Sequence, residues 1–192
     1  MMKRRNIQIT ALIAALMLTL LLSACGGSEV NSHITAVVDA MCNAPNDDYY
    51  DPSAYAVLGE DTRTEEQKAE AEKAAERVNA NWEKLCEENF AASSQKTLLN
   101  SGTAMVFQAL TYPDPASVED ARLTSIEVKS VELKEEDKDL GYQTVTVTLT
   151  VNGESEYSFD VEFSIDKDGL IDKAPEIAPE VIDGLTALGK QK

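Results

Sequence analysis

The sequence predicts an α+β domain in which three N-terminal helices pack on one face of a four-stranded antiparallel meander, with a short C-terminal helix after it. Three observations carry this. Apolar residues recur at helical spacing as far as Leu110, and from Ile126 onward the period falls to 2. The alternating runs are joined by short turns, so the strands pair antiparallel and bury one face. With 192 residues and 43% hydrophobic content, the chain suits a single domain with a leader and a tail.

Ile34, Val37, Val38 and Met41 mark the first helix, over 31 to 42, with Asn31 or Ser32 as its N-cap. Residues 43 to 61 are rich in turn formers and read as an irregular surface connection. Thr64-Glu65-Glu66-Gln67 fits a capping box opening a long helix that runs to about Phe90. Its stripe is Ala71, Ala75, Val78, Trp82 and Leu85; at about two heptads it is too short for a coiled coil. Ser93 or Ser94 caps a third helix, whose face carries Leu98, Leu99, Gly102, Met105, Val106, Ala109 and Leu110. Tyr112-Pro113-Asp114-Pro115 ends it.

In the first strand Ile126 and Val128 share a parity that Val131 and Leu133 reverse, which predicts a bulge near Ser130. Val145, Val147, Leu149 and Val151 form the second strand against threonines at 144, 146, 148 and 150. Tyr157, Phe159, Val161, Phe163 and Ile165 form the third. A two-residue Asn152-Gly153 turn would set the two apolar rows on opposite faces. The expected loop is therefore Val151, Asn152 and Gly153, with Gly153 left-handed, pairing Leu149 with Ser155, Val147 with Tyr157 and Val145 with Phe159. Lys167-Asp168-Gly169 repeats the device and pairs Ile165 with Ile171. A short fourth strand, 170 to 174, stops at Pro175, and Pro179 suits the first turn of a last helix carrying Val181, Ile182, Leu185 and Leu188.

The charge excludes one class of function. With 34 acidic and 17 basic residues the net is −17, which repels phosphate backbones, so nucleic acid is not an expected partner. Lys3, Arg4 and Arg5 precede an apolar run from Ile7 to Leu22, and small residues follow: a secretory signal. Leu22-Ser23-Ala24-Cys25, followed by Gly26-Gly27-Ser28, resembles the lipobox of bacterial lipoproteins. That resemblance implies removal of residues 1–24, acylation of Cys25, a short linker over 25–30, one domain over 31–174 and a C-terminal helix and tail over 175–192. It also implies a protein on the extracytoplasmic side of a cell membrane, held there by lipid. Taking Lys3, Arg4 and Arg5 away from −17 leaves −20 on the mature chain. Six residues of linker reach at most ~20 Å.

Few residues offer chemistry. Cys42 and Cys86 remain once Cys25 is acylated, and an exported domain favours bonding them. Such a bridge is worth about 4 kcal/mol in the chain-entropy model, and two buried free thiols are the alternative. The single histidine, His33, reads as a solvated first-turn residue. Asp166 to Asp172 shares part of a calcium loop, but Ser164 and Pro175 fall where loop positions 1 and 12 need acids, and a hairpin turn explains the same residues. No metal, cofactor or catalytic residue is assigned. Tyr49, Tyr50 and Tyr55 cluster in an acidic loop; Tyr49 and Tyr50, with Phe159 and Phe163, are the candidate ligand contacts. Glu156, Ser158, Asp160, Glu162, Ser164 and Asp166 form an acidic ladder on the third strand, read chiefly as a face that keeps the sheet soluble.

Helices followed by a meander with one Asp168-Gly169 turn resemble small cystatin-like and NTF2-like lipoproteins of bacteria. The tryptophan common after that turn is replaced by Leu170. The resemblance implies helices on a curved sheet, often with a cavity between. The expected function is a non-enzymatic, lipid-anchored domain that binds an envelope protein or a small ligand. The second reading is a small-molecule-binding or hydrolytic NTF2-like enzyme using carboxylates in that cavity, and a filled or hollow inner sheet face separates the two.

Overall fold

The computed structural model describes residues 29–54, 63–111 and 123–189. The signal segment, Cys25, Tyr55 and the Tyr112-Pro113-Asp114-Pro115 stop lie outside these residues. Among the described residues the architecture is α+β, with five α-helices and a three-stranded antiparallel sheet in the order β1-β2-β3.

Asn31 caps α1 (Ser32–Cys42): its side-chain oxygen accepts from the His33 N–H at 2.8 Å. All four residues of the expected stripe are buried. α2 (Glu65–Asn89) opens with the capping box in full, Gln67 N–H donating to the Thr64 hydroxyl and Thr64 N–H to the Gln67 side-chain oxygen Oε1. Its buried face follows the expected stripe, except that Ala74 is buried and Ala75 half-buried.

The expected third helix is broken in two. α3 (Thr97–Ser101) stops at Gly102, whose φ of 73° is left-handed, and a 3-10 turn over Thr103–Met105 leads into α4 (Val106–Thr111). The break resets the helical phase. Phe107 and Gln108 turn inward, while Ala109, assigned to the buried face, is exposed. α5 (Pro179–Gly189) starts at Pro179 as expected and buries Val181 and Leu185.

The strands are β1 (Ile126–Asp137), β2 (Tyr142–Val151) and β3 (Ser155–Ser164). β1 carries two bulges against β2. Lys129 is extra between Val128 and Ser130, as expected near Ser130, and Lys134 is extra between Leu133 and Glu135. The β2–β3 hairpin keeps the expected faces but shifts by two residues: Leu149 pairs with Tyr157, Val147 with Phe159 and Val145 with Val161. The loop is Asn152, Gly153 and Glu154, because Asn152 is also left-handed (φ 54°) and Glu154 N–H bonds the Val151 carbonyl.

The expected fourth strand does not form. Ile171 does pair with Ile165, and Asp172 N–H donates to the Ser164 carbonyl on the outer edge of β3. There the ladder ends. The remaining main-chain groups of Ile171 go to the α2 terminus, its N–H to Asn89 and its carbonyl to Ala91, and Pro175 has no N–H to offer.

Candidate functional site

The inner face of the sheet is filled. Val145, Val147, Leu149 and Val151 of β2 and Val161 and Phe163 of β3 are buried in one cluster with Ile34, Met41, Trp82 and Phe107. Phe159 belongs to it as well, its ring stacked 5.9 Å from that of Phe107. The structure therefore places Phe159 and Phe163, expected at a ligand, in the core.

Tyr49 and Tyr50 lie elsewhere, in the loop that runs along α2. Three side chains of α2 clamp this loop. Arg77 donates to the Asp47 carbonyl and to Asp51, Asn81 to the Asp48 carbonyl, and the Trp82 indole N–H to the Tyr49 carbonyl at 2.8 Å. The Tyr49 ring tilts against Trp82 at 4.6 Å, and Tyr49 is half-buried. Burial, then Asp48, Glu88 and Cys86, raise its hydroxyl pKa, so it stays a neutral donor at physiological pH. A cleft of about 230 Å3 opens beside it, lined by Asp48, Tyr49, Asn81, Lys84, Leu85 and Glu88.

Two further clefts are polar. One, about 340 Å3, lies between Tyr142, Glu162 and Ser164 of the sheet and Lys173, Ala174 and Glu176. Another, about 290 Å3, sits where Asn31 meets the turns after β1 and β3. None of the three touches Phe159, Val161 or Phe163.

Among the described residues no helix lies over the outer face of the sheet. Across β2 it is layered: Glu127, Thr150 and Glu156; Ser130, Thr148 and Ser158; Glu132, Thr146 and Asp160; Glu135, Thr144 and Glu162. The acidic ladder is exposed, but two of its acids are paired. Both bulge lysines reach across the threonine row, Lys129 to Glu156 and Lys134 to Asp160, and Thr146 also donates to Asp160. Lys134 and Thr146 hold the Asp160 carboxyl below the usual aspartate range. Six carboxylates against two lysines leave the face negative.

Cys42 and Cys86 are buried free thiols in the structure, rather than the expected bridge. Burial, and for Cys42 also Asp39, pushes both pKa values up, that of Cys86 to about 11. His33 is half-buried and not simply solvated, its Nδ1 donating to Asn89 Oδ1 at 3.0 Å. Sequence reading missed three buried polar side chains: Asn89, Gln143 and Gln108. Gln108 ties α4 to the loop after α1, donating to the Asn43 carbonyl and accepting from Asn46 N–H. Its one sequence signal was its place beside Phe107. The Asp166 carboxylate accepts the Asp168 and Leu170 N–H groups of its own turn. Among the described residues no group of three His, Cys, Asp or Glu is placed to hold a metal, and no helix is long and apolar enough to cross a membrane. Comparison with family models, curated proteins and solved structures finds no match for this chain.

Proposed function

We propose that this chain is a lipid-anchored domain on the extracytoplasmic side of a cell membrane, and that it binds a protein partner there. The observation that carries the binding half is the filled inner sheet face. The helix–sheet interior that would serve a small ligand or a hydrolytic site is occupied by Phe159, Val161, Phe163 and Phe107, and the three clefts described above are polar and open to solvent. Ligand pockets are usually enclosed and mostly apolar, at about 300–1,000 Å3. Flat polar faces suit protein contact instead.

The anchoring half rests on Leu22-Ser23-Ala24-Cys25. Two acyl chains hold a protein on a bilayer where one is marginal. Fractionation tests it: the wild-type chain stays with membranes and leaves them only in detergent, whereas Cys25→Ala moves to the soluble or secreted fraction. A Cys25→Ala protein that sediments with membranes like the wild type would overturn the anchoring.

A further inference from the structure

Among the described residues, large apolar side chains stand well exposed at two positions, Leu140 at 70% and Tyr142 at 39%, and both belong to the β1–β2 turn and its exit. We infer that this turn rests on the phospholipid bilayer, with Leu140 entering the boundary between headgroups and acyl chains. The contact depends on the anchoring proposed above, because acylated Cys25 is what brings the bilayer to this end of the domain.

Exposed apolar residues scattered singly are ordinary. These two share the end of the sheet at which the chain enters the domain. Asn31 N–H donates to the Gln143 side chain, and the Asn31 side-chain amide donates to the Gly169 carbonyl, which fixes the entry point beside the turns after β1 and β3. Gln143 is three residues from Leu140, at most ~10 Å of chain. The linker from Cys25 to Asn31 reaches at most ~20 Å, so the anchor sets the bilayer within reach of this turn. The β2–β3 turn lies at the other end of β2, about 30 Å away along the strand. It carries Asn152, Gly153 and Glu154, with no apolar side chain to offer.

The local backbone displays Leu140. The Asp137 carboxylate accepts the Asp139 and Leu140 N–H groups, both at 3.0 Å. Gly141 follows at φ 71°, and its carbonyl takes the Ile165 N–H at 2.7 Å, which ties this turn to the next. Leu140 is thus held outward on a backbone already ordered, and little conformational entropy remains to be lost on contact. Tyr142 adds a ring with an apolar body and a polar tip, the kind of side chain that settles at headgroup level.

Tethering makes so small a contact sufficient. One leucine does not hold a free protein on a bilayer, but beside a lipid anchor the encounter is intramolecular and its effective concentration is high. Charge then selects the lipid. Asp137, Asp139, Asp166 and Asp168 outnumber Lys138 and Lys167 around the tip, and both lysines are paired, with Glu136 and Asp168. Anionic headgroups are repelled there, so the surface that fits is a zwitterionic one.

The test uses the full-length, acylated chain in phosphatidylcholine vesicles whose acyl chains carry bromine, which quenches tryptophan at close range only. Trp82 is buried in the core and sets the background. Lys138→Trp places a reporter beside an unaltered Leu140, and Glu154→Trp places one on the far turn. The first should lose about half of its added fluorescence, since an interfacial side chain reaches ~5–10 Å into the headgroup and acyl boundary, and the second should lose almost none. Adding Leu140→Ser to Lys138→Trp should bring the quenching down to the far-turn level with an unchanged Tm, because Leu140 packs on so little. Should that double variant not fold, the two reporters on unaltered Leu140 decide. A Lys138→Trp reporter quenched no more than Glu154→Trp, on protein that still floats with the vesicles, would overturn the contact and leave the anchoring standing. Equal quenching with and without Leu140→Ser would overturn it as well. A wild-type chain that does not float with the vesicles defeats the anchoring, and the contact with it.

Discussion

Gly141 stands at φ 71° in the β1–β2 turn, and a Cβ there would lie 2.5 Å from the Ile165 carbonyl oxygen. Gly153 has nearly the same φ, 72°, but open space around it. Both lose about 1–2 kcal/mol to left-handed strain on substitution by alanine, and only Gly141→Ala adds a backbone clash, for about 2–4 kcal/mol in all. Thermal melts of the two variants should rank that way, and equal losses would contradict the turn geometry. The cysteines give a second check. Burial keeps both thiols protonated, so a thiol reagent should react slowly in the native, unreduced protein and find both Cys42 and Cys86 once it is unfolded without reductant. Finding neither would mean that they are bonded. Asp51 supplies a pH signature. Its carboxyl is held below its ordinary 3.8 by Ser53 first and also by Arg77, against opposing burial. The folded state thus binds this proton less readily than the unfolded one. The resulting stability is complete above 3.8 and is lost as pH falls through the lower folded-state value. Arg77→Ala should flatten that acid loss, by about 0.5–1 kcal/mol for so exposed a pair, and identical Tm profiles from pH 5 to 2 would remove the pairing.

Elements whose signals are local were legible in the sequence. The Thr64–Gln67 capping box, the Asn31 cap, the start of α5 at Pro179 and the bulge beside Ser130 need only neighbours along the chain. The misread elements depend on distant partners. Gly102 reads as one weak residue in a helix, yet there the chain turns left-handed and Phe107 and Gln108 face inward to meet Phe159 and Asn43. The expected fourth strand is reduced to one bridge, Ile165 to Ile171, and the far side of Ile171 docks on Asn89 and Ala91, some 80 residues earlier in sequence. The hairpin register missed by two for a local reason instead: Asn152 is left-handed as well as Gly153. Of the candidate site, the acidic ladder and the threonine row were readable. The Lys129 and Lys134 crossings were not, since each needs a bulge and a span over β2 to form. Those crossings are exposed, so Lys129→Ala and Lys134→Ala should each leave the denaturant midpoint almost unchanged. A loss well above that would mean that the lysine stems over the threonines matter more than their charges.

The whole molecule has its interior filled on one side of the sheet and a polar, largely acidic face on the other. Asn31 is tied to Gln143 and to the Gly169 carbonyl, so the chain enters the domain beside the turns after β1 and β3. With acylation at Cys25, a linker of at most ~20 Å would hold those turns nearest the bilayer. The charge that first excluded nucleic acid then has two effects. A mature net of −20 would stand off anionic head groups, and the acidic sheet face would favour basic partners over acidic ones. Every part of this picture that concerns location depends on one covalent event. Intact-mass spectrometry of the protein extracted from membranes tests it most directly. The predicted result is a chain that begins at Cys25 and carries the added mass of a diacylglycerol thioether. A chain that still begins at Met1, or a Cys25 with an unmodified thiol, would contradict it.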